Sequence, residues 1–326
     1  MSSDELIKNL EKQHYVFVGK HKHAAVKTCQ YTKSSMSGRN KCYKCLFYGV
    51  QSHRCIQSTS NIQCFNSCTY CWRAHPEEFG TSDSLQIREW DDPKTIVDGF
   101  ITAHRKLLSG MGGNKNVDRK IWEESRNPKH VALSVLGEPI TYPKLTDLLK
   151  EFHGRGISTF LVTAGTVPVA IEKMINGGTL PTQFYLSMGG YDKSSYEKFM
   201  QPKVPDGWKK YNKSIELMSK MKTRRAVRMT CMRNLNMLHP EEWAKLLTKT
   251  DAEYIEIKAY AAVGYSRARL GMDYMPLHSE IQEFAKELEA ETGYIYAAEH
   301  IPSRVVLLCK DQEALANRII DFSKIR

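Results

Sequence analysis

Acidic residues are missing from a long stretch near the start of this chain: no Asp or Glu occurs between Lys12 and Pro76. The same stretch carries Lys20, Lys22, Lys27, Lys33, Arg39, Lys41, Lys44, Arg54 and Arg73, in a protein of 326 residues with a formal net charge of +11. An ordinary salt-bridged surface mixes signs, so a one-signed stretch points to phosphate contact and a polyanionic partner. The aromatics Tyr15, Phe17, Tyr31, Tyr43, Phe47 and Tyr48 are interleaved with it, as base stacking by single-stranded RNA binders requires. No apolar run is long enough to cross a bilayer, so no membrane partner is expected. The polar, acidic start Met1–Leu6 is unlike a secretory signal, which makes the cytoplasm the expected compartment. Internal repeats and low-complexity tracts are lacking as well. A hydrophobic share of 41% is enough for a sizeable core, and the length suits a single α/β barrel with extensions.

Cysteine is abundant but uneven. Of the nine, seven fall between Cys29 and Cys71. In a cytoplasmic protein such clustering argues for metal rather than disulfides. Cys231 and Cys309 sit apart, in apolar strand-like segments, and read as buried core thiols.

The first 75 or so residues are basic and poorly periodic, and read as an irregular extension wrapped around metal. After Pro76 the pattern becomes strand–helix alternation. Strand candidates are His130 to Leu136, Ser158 to Thr163, Gln183 to Ser187, Ala226 to Arg233 and Tyr254 to Ala259. Cys55 to Cys64 is an earlier candidate, and Ser303 to Cys309 an added edge strand. Helical patterns cover Thr95 to Leu108 (opened by Asp92-Pro93), Tyr142 to His153, Pro168 to Asn176, Gly207 to Met221, Pro240 to Thr248 and His278 to Thr292. The glycines of 110–116 read as a mobile loop. About six units of this kind predict an α/β fold, a partial (β/α)6 open barrel on a parallel sheet, too few for eight-fold closure.

Chemistry is concentrated in Cys64-Phe65-Asn66-Ser67-Cys68-Thr69-Tyr70-Cys71, a C-x3-C-x2-C run with an aromatic before its third cysteine. Three thiolates can hold three irons of a 4Fe–4S cluster and leave the fourth open, as a catalytic metal requires. The amino and carboxylate groups of S-adenosylmethionine suit that open iron. The competing reading is zinc: Cys42-x2-Cys45 and Cys68-x2-Cys71 have ribbon spacing, which would make this a non-catalytic zinc-ribbon RNA-binding protein. A ribbon leaves Cys64 unexplained.

The run resembles that of the radical S-adenosylmethionine enzymes, and the resemblance implies a radical-type partial barrel with an N-terminal cysteine-rich extension. Tyr70 matches the aromatic whose backbone faces the adenine. Gly137 and Glu138, at the end of a strand, match the pair that binds the amino group of the cofactor's methionine; glycine admits the ligand and the acid pairs with an ammonium. Thr163 opens a second glycine turn, with Ala164 where relatives usually carry Asn. Ser187, ending the next strand, is either a ribose contact or a simple strand-end serine.

Cys29, Cys42 and Cys55, spaced thirteen and thirteen, together with Cys71-Trp72-Arg73, Leu136-Gly137-Glu138-Pro139, Ile255-Glu256-Ile257-Lys258, Gly264-Tyr265-Ser266-Arg267, Met275-Pro276 and Ser303-Arg304-Val305-Val306-Leu307-Leu308, are similar to the archaeal-type 4-demethylwyosine synthases over nearly the whole chain. This resemblance implies a second 4Fe–4S cluster on Cys29, Cys42 and Cys55, with Cys45 either a free thiol or a competing ligand. It divides the chain into residues 1–55, an extension supplying second-cluster ligands, and 56–326, the radical barrel with a C-terminal extension. It implies that N1-methylguanosine in the anticodon loop of tRNA-Phe is joined to carbons 2 and 3 of pyruvate while S-adenosylmethionine is consumed. The flavodoxin-like domain of eukaryotic relatives is lacking, which implies an external donor such as flavodoxin or ferredoxin. Lys44 matches the lysine that would hold pyruvate as an imine; Lys41 and Lys258 are alternatives, and a plain phosphate contact is the other reading of Lys44. The open iron of the second cluster is a further way to bind pyruvate. A radical enzyme acting on another RNA base is the remaining functional alternative.

Overall fold

A computed structural model describes residues 3–75, 78 and 87–325. Ten strands form one sheet: β1 (Val16–Val18), β2 (Ala24–Val26), β3 (Cys55–Thr59), β4 (His130–Leu133), β5 (Ser158–Thr163), β6 (Gln183–Met188), β7 (Arg224–Cys231), β8 (Tyr254–Ala259), β9 (Ile295–His300) and β10 (Val305–Cys309), in the order β1-β2-β3-β4-β5-β6-β7-β8-β10-β9. From β3 to β8 every pairing is parallel, and β1–β2–β3 and β8–β10–β9 are antiparallel. The six parallel strands are the expected partial barrel.

The helices are α1 (Ser3–Lys12), α2 (Gln30–Met36), α3 (Tyr43–Tyr48), α4 (Pro93–Leu108), α5 (Arg119–Ser125), α6 (Leu145–His153), α7 (Pro168–Asn176), α8 (Lys193–Met200), α9 (Gly207–Ser219), α10 (Pro240–Lys249), α11 (Ser266–Arg269), α12 (His278–Thr292) and α13 (Gln312–Ala316). Local chemistry sets several ends. Asp92 caps α4 by accepting from the Thr95 N–H, with Pro93 in the first turn, and α12 stops at Gly293, whose φ is +73°.

Strand alternation sorts the core into two layers. Leu133, Leu161, Phe184, Leu186, Val227, Met229, Ile255 and Ile257 pack outward with Phe100, Phe152, Trp243 and Leu288 of the helices. Ala132, Phe160, Tyr185, Ala226 and Tyr254 face inward, where Tyr43, Phe47 and Tyr48 of α3 fill the barrel.

Four expectations need correction. The first 75 residues are not an irregular wrap: they supply α1 to α3 and β1 to β3, in pieces too short for a periodic signal. Val305–Cys309 is not an edge strand but lies between β8 and β9. The strand opening at His130 ends at Leu133, where the chain turns so that the Ser134 and Val135 N–H groups donate to Ser58 O at 2.8 and 3.2 Å. The glycines after α4 form a 3-10 turn over Ser109–Gly113, in which Gly112 lies so close under Trp122 that a Cβ would come within 2.6 Å of its ring. Cys231 and Cys309 are buried core thiols, as expected.

Candidate active site

Cys64, Cys68 and Cys71 lie on the loop that follows β3; Cys71 acts electrostatically on both Cys64 and Cys68, and Cys64 on Cys68. The loop is strapped from one side by the end of α8 and the turn after it: Ser67 N–H donates to Gln201 O at 3.0 Å, Thr69 N–H to Phe199 O at 3.0 Å, and Lys203 N–H to Phe65 O at 2.8 Å. Asn66 donates to Met200 O at 3.0 Å and accepts from the Thr166 hydroxyl at 3.0 Å. From the other side Arg269 of α11 donates to Cys71 O at 2.6 Å and Cys68 O at 3.2 Å, and also binds Arg73 O. Gly264, at φ +58°, lies so close to this loop that a Cβ would sit 2.3 Å from Trp72 O. Sequence reading missed Arg269; an arginine among Arg267 and Arg269 in a short basic helix carries no local mark of its role.

Burial pushes the Cys64 thiol up to about 12 and Cys68 well above its ordinary value. Cys71 differs: burial raises it, but a hydrogen bond from His75 and the guanidinium of Arg73, 3.8 Å from its Sγ, bring it down to about 6. A thiolate is therefore favoured at one of the three positions before any iron binds.

Beside this loop lies a cavity lined by Cys64, Cys71, Arg73, His75, Leu136 and Gly137. Gly137 has φ +67°, and a Cβ there would fall 2.1 Å from Asn61 O, so only glycine fits. Glu138 is 1% exposed. Its Oε2 accepts from the Ala164 N–H at 2.9 Å, whereas Oε1 is buried without a partner. Burial raises its pKa to about 7, against the lowering by the Ala164 N–H and the Thr163 hydroxyl. An orphaned carboxylate oxygen at the cysteine loop fits the amino group of an amino acid cofactor. Thr163 acts through Glu138, and also accepts from the Gly165 N–H at 3.0 Å. Ala164, which lacks the side chain usual at its position, contributes its backbone N–H instead. The ring of Tyr70 packs on Gly189, where a Cβ would come within 2.7 Å of it, and its hydroxyl reaches Met200 Sδ. Ser187 is half-buried and shares the inward face of β6 with Tyr185; its carbonyl accepts from the Tyr211 hydroxyl at 3.0 Å.

The second trio comes together from three elements. Cys29 precedes α2, Cys42 precedes α3, and Cys55 opens β3. Burial pushes Cys42 and Cys55 up to about 12 and raises Cys29; Cys55 feels both other thiols of the trio, and Cys42 feels Cys29. Cys45, one turn into α3, is not among the groups acting on this trio. Among the described residues no three His, Cys, Asp or Glu side chains converge as ligands of a single metal ion.

Lys44 is buried at 7% exposure with its Nζ 4.5 Å from the Tyr185 ring centroid and 5.0 Å from that of Phe160. Burial and Arg228 lower its pKa, while Glu256, Cys42 and Cys55 oppose this. Lys258 also points inward, donating to Ser303 O at 2.9 Å, and burial brings it down to about 8. Lys41 is exposed. Tyr43 and Tyr48 each donate a hydroxyl to Glu256 at 2.9 Å. The barrel thus carries one thiol trio beyond the end of β3, another at its start, and buried amines on the inward face.

A family described as wyosine base formation matches residues 249–310. The S-adenosyl-L-methionine-dependent tRNA 4-demethylwyosine synthase of Pyrococcus abyssi is 44% identical over 310 residues, covering 94% of this chain and 89% of its own. Among solved structures, TYW1 with a lysine–pyruvate adduct bound superposes with a TM-score of 0.82 at 32% identity, and archaeal TYW1 with 0.75 at 32%, each covering 99% of both chains.

Proposed function

This chain belongs to the S-adenosyl-L-methionine-dependent tRNA 4-demethylwyosine synthases, radical enzymes of wybutosine biosynthesis, and we propose that it joins N1-methylguanosine of tRNA-Phe to carbons 2 and 3 of pyruvate. Membership sets aside the zinc-ribbon reading. The observation that carries the finer proposal is the buried lysine on the inward face, Lys44, coupled to Cys42 and Cys55 of the second trio.

In this reading Cys64, Cys68 and Cys71 hold the first 4Fe–4S cluster and Cys29, Cys42 and Cys55 a second, the latter from the extension 1–55 to the barrel of 56–326. The first cluster, when bound, supplies the electron that cleaves the sulfonium of S-adenosylmethionine and so generates a 5′-deoxyadenosyl radical. Glu138, held in place by Ala164 and Thr163, would accept from the cofactor's amino group through its free oxygen. Gly137 lets the backbone approach the cofactor, Tyr70 fixes the loop against β6, and Ser187 lies where a ribose contact would be made.

Lys44 condenses with pyruvate: its Nζ adds to the carbonyl carbon, C=N replaces C=O, and the oxygen leaves as water. A buried amine flanked by aromatic faces spends more time neutral than a solvated one, which the attack requires. The electrons come from an external flavodoxin- or ferredoxin-type donor. Basic residues of the acid-free stretch contact the tRNA, and the protein works in the cytoplasm. Among the described residues no helix is long and apolar enough to cross a membrane.

Protein purified without oxygen is expected to hold about eight irons, from two cubanes, and to transfer label from pyruvate to N1-methylguanosine-containing tRNA. Borohydride should trap pyruvate on the native enzyme and not on Lys44→Ala. Equal trapping on both would show that another amine, with Lys258 first in line, does this work. About four irons would remove the second cluster from the reading.

A further inference from the structure

We propose that Arg228 binds the carboxylate of the 2-oxo acid held on Lys44, and so makes the site selective for 2-oxo acids over other carbonyl compounds. The proposal rests on the Lys44 reading. Arg228 lies on β7, in register with Ser187 of β6 on one side and Glu256 of β8 on the other. Alternation from Ala226 of the inner layer puts it on the inward face. Its guanidinium sits 5.4 Å from the Tyr185 ring centroid, the ring over which Lys44 Nζ lies at 4.5 Å. Two cations therefore share one aromatic ring inside the barrel.

Among the described residues this guanidinium has no hydrogen-bond acceptor and no ion-pair partner within contact distance. Other arginines with restricted exposure are engaged: Arg225 by Glu253, Arg233 by Glu280, and Arg269 by the carbonyl of Cys71. The carboxylate nearest in register, Glu256, has each oxygen occupied by a tyrosine hydroxyl, from Tyr48 and from Tyr43. Glu256 therefore acts on the guanidinium electrostatically, without a hydrogen bond to it. Arg228 is half-buried, so its fork without an acceptor is open to an anion entering the barrel.

A 2-oxo acid carries its carboxylate one bond from the carbonyl carbon. Once that carbon is attached to Lys44 Nζ, the carboxylate must lie next to the lysine, and Arg228 is the open donor there. A guanidinium offers two parallel N–H groups to a carboxylate, which fixes the plane of the imine as well as its charge. A compound with an amide or a hydrogen in place of the carboxylate cannot make this pair.

The test uses the enzyme with its clusters in place, and compares the native protein, Arg228→Gln and Arg228→Lys. Two quantities are measured against pyruvate concentration: the amount of borohydride-trapped adduct, and the rate of tricyclic base formation in tRNA. Loss of a charge-assisted pair inside the barrel is expected to raise the half-saturating pyruvate concentration about thirtyfold in Arg228→Gln, with a smaller rise in Arg228→Lys, which keeps the charge without the fork. The native enzyme should trap pyruvate well ahead of pyruvamide, and Arg228→Gln should lose that preference. Unchanged half-saturation in both assays would overturn the proposal. So would a response confined to S-adenosylmethionine affinity or to tRNA affinity, since the anion bound would then be the cofactor's carboxylate or a phosphate. If Arg228→Gln fails to fold, the pyruvate-over-pyruvamide preference of the native enzyme still decides: equal trapping overturns the proposal. A native enzyme that traps nothing, yet shows the shift in the turnover assay for Arg228→Gln, would sink the Lys44 reading and leave the arginine's role standing.

Discussion

Glu138 carries one satisfied oxygen and one orphan in a buried site, with a pKa near 7 rather than in the ordinary carboxylate range. Accepting an N–H of the cofactor's amino group favours the ionised form, so affinity for S-adenosylmethionine should strengthen as pH rises through about 7 and weaken below it. Equilibrium binding between about pH 6 and 8 checks this, and Glu138→Gln should flatten the profile at the weak end. A pH-independent affinity in the native enzyme would mean that the cofactor's amino group is held elsewhere. The Gly-Glu pair was legible in the sequence because it follows a strand. The orphan oxygen was not: it depends on Ala164 and Thr163, which reach Glu138 from the next strand.

Among the elements, α11 and the turn after α8 act as straps on the cysteine loop. Arg269 spans the carbonyls of Cys68 and Cys71 and is itself held by Glu78 at 2.7 Å. Charge-assisted hydrogen bonds of this kind are worth about 1.5–3 kcal/mol, so Arg269→Gln is expected to slow cofactor cleavage about tenfold and to speed loss of iron on exposure to chelator. Iron release and cleavage at native rates would show that the loop holds its shape without the strap. The periodic elements, such as the long α12 and the mostly buried β5, were readable because their apolar residues repeat at the period of the element or run together in a short block. The short α2, α3, β1 and β2 complete too few periods to be read, and α2 and α3 are the ones that bring Cys29 and Cys42 to Cys55.

For the whole molecule, buried histidines set the response to acid. His104 donates to Ser125 O at 3.0 Å, and His130 accepts from the Gln51 N–H at 3.1 Å while bonding Ser158 Oγ at 2.7 Å; burial brings them down to about 4 and about 3. Between about pH 4.5 and 6 both are neutral when folded and protonate on unfolding, so stability falls as pH falls. Glu138 acts in the opposite sense over that window, since it is protonated when folded and ionised when unfolded. These three groups leave one net proton, about 1.4 kcal/mol per pH unit, and His23, His153 and His300, which burial also lowers, add in the same sense, so urea unfolding of the metal-free protein should read at least that slope. Glu138→Gln should steepen it by about 1.4 kcal/mol per pH unit, and an unchanged slope would contradict the assignment of these protonation states. The covalent spacing of C-x3-C-x2-C, the charge of the first 75 residues and the alternation of strands and helices are properties of neighbours along the chain, and they alone determined the chemistry and the class of fold. Which lysine turns inward, which arginine is left without an acceptor among the described residues, and how three cysteines spaced thirteen apart meet at the start of β3 depend on contacts between residues far apart in sequence. Only the closing of the sheet around α3 decided those, because burial and charge at one position are set by side chains that the local sequence does not contain.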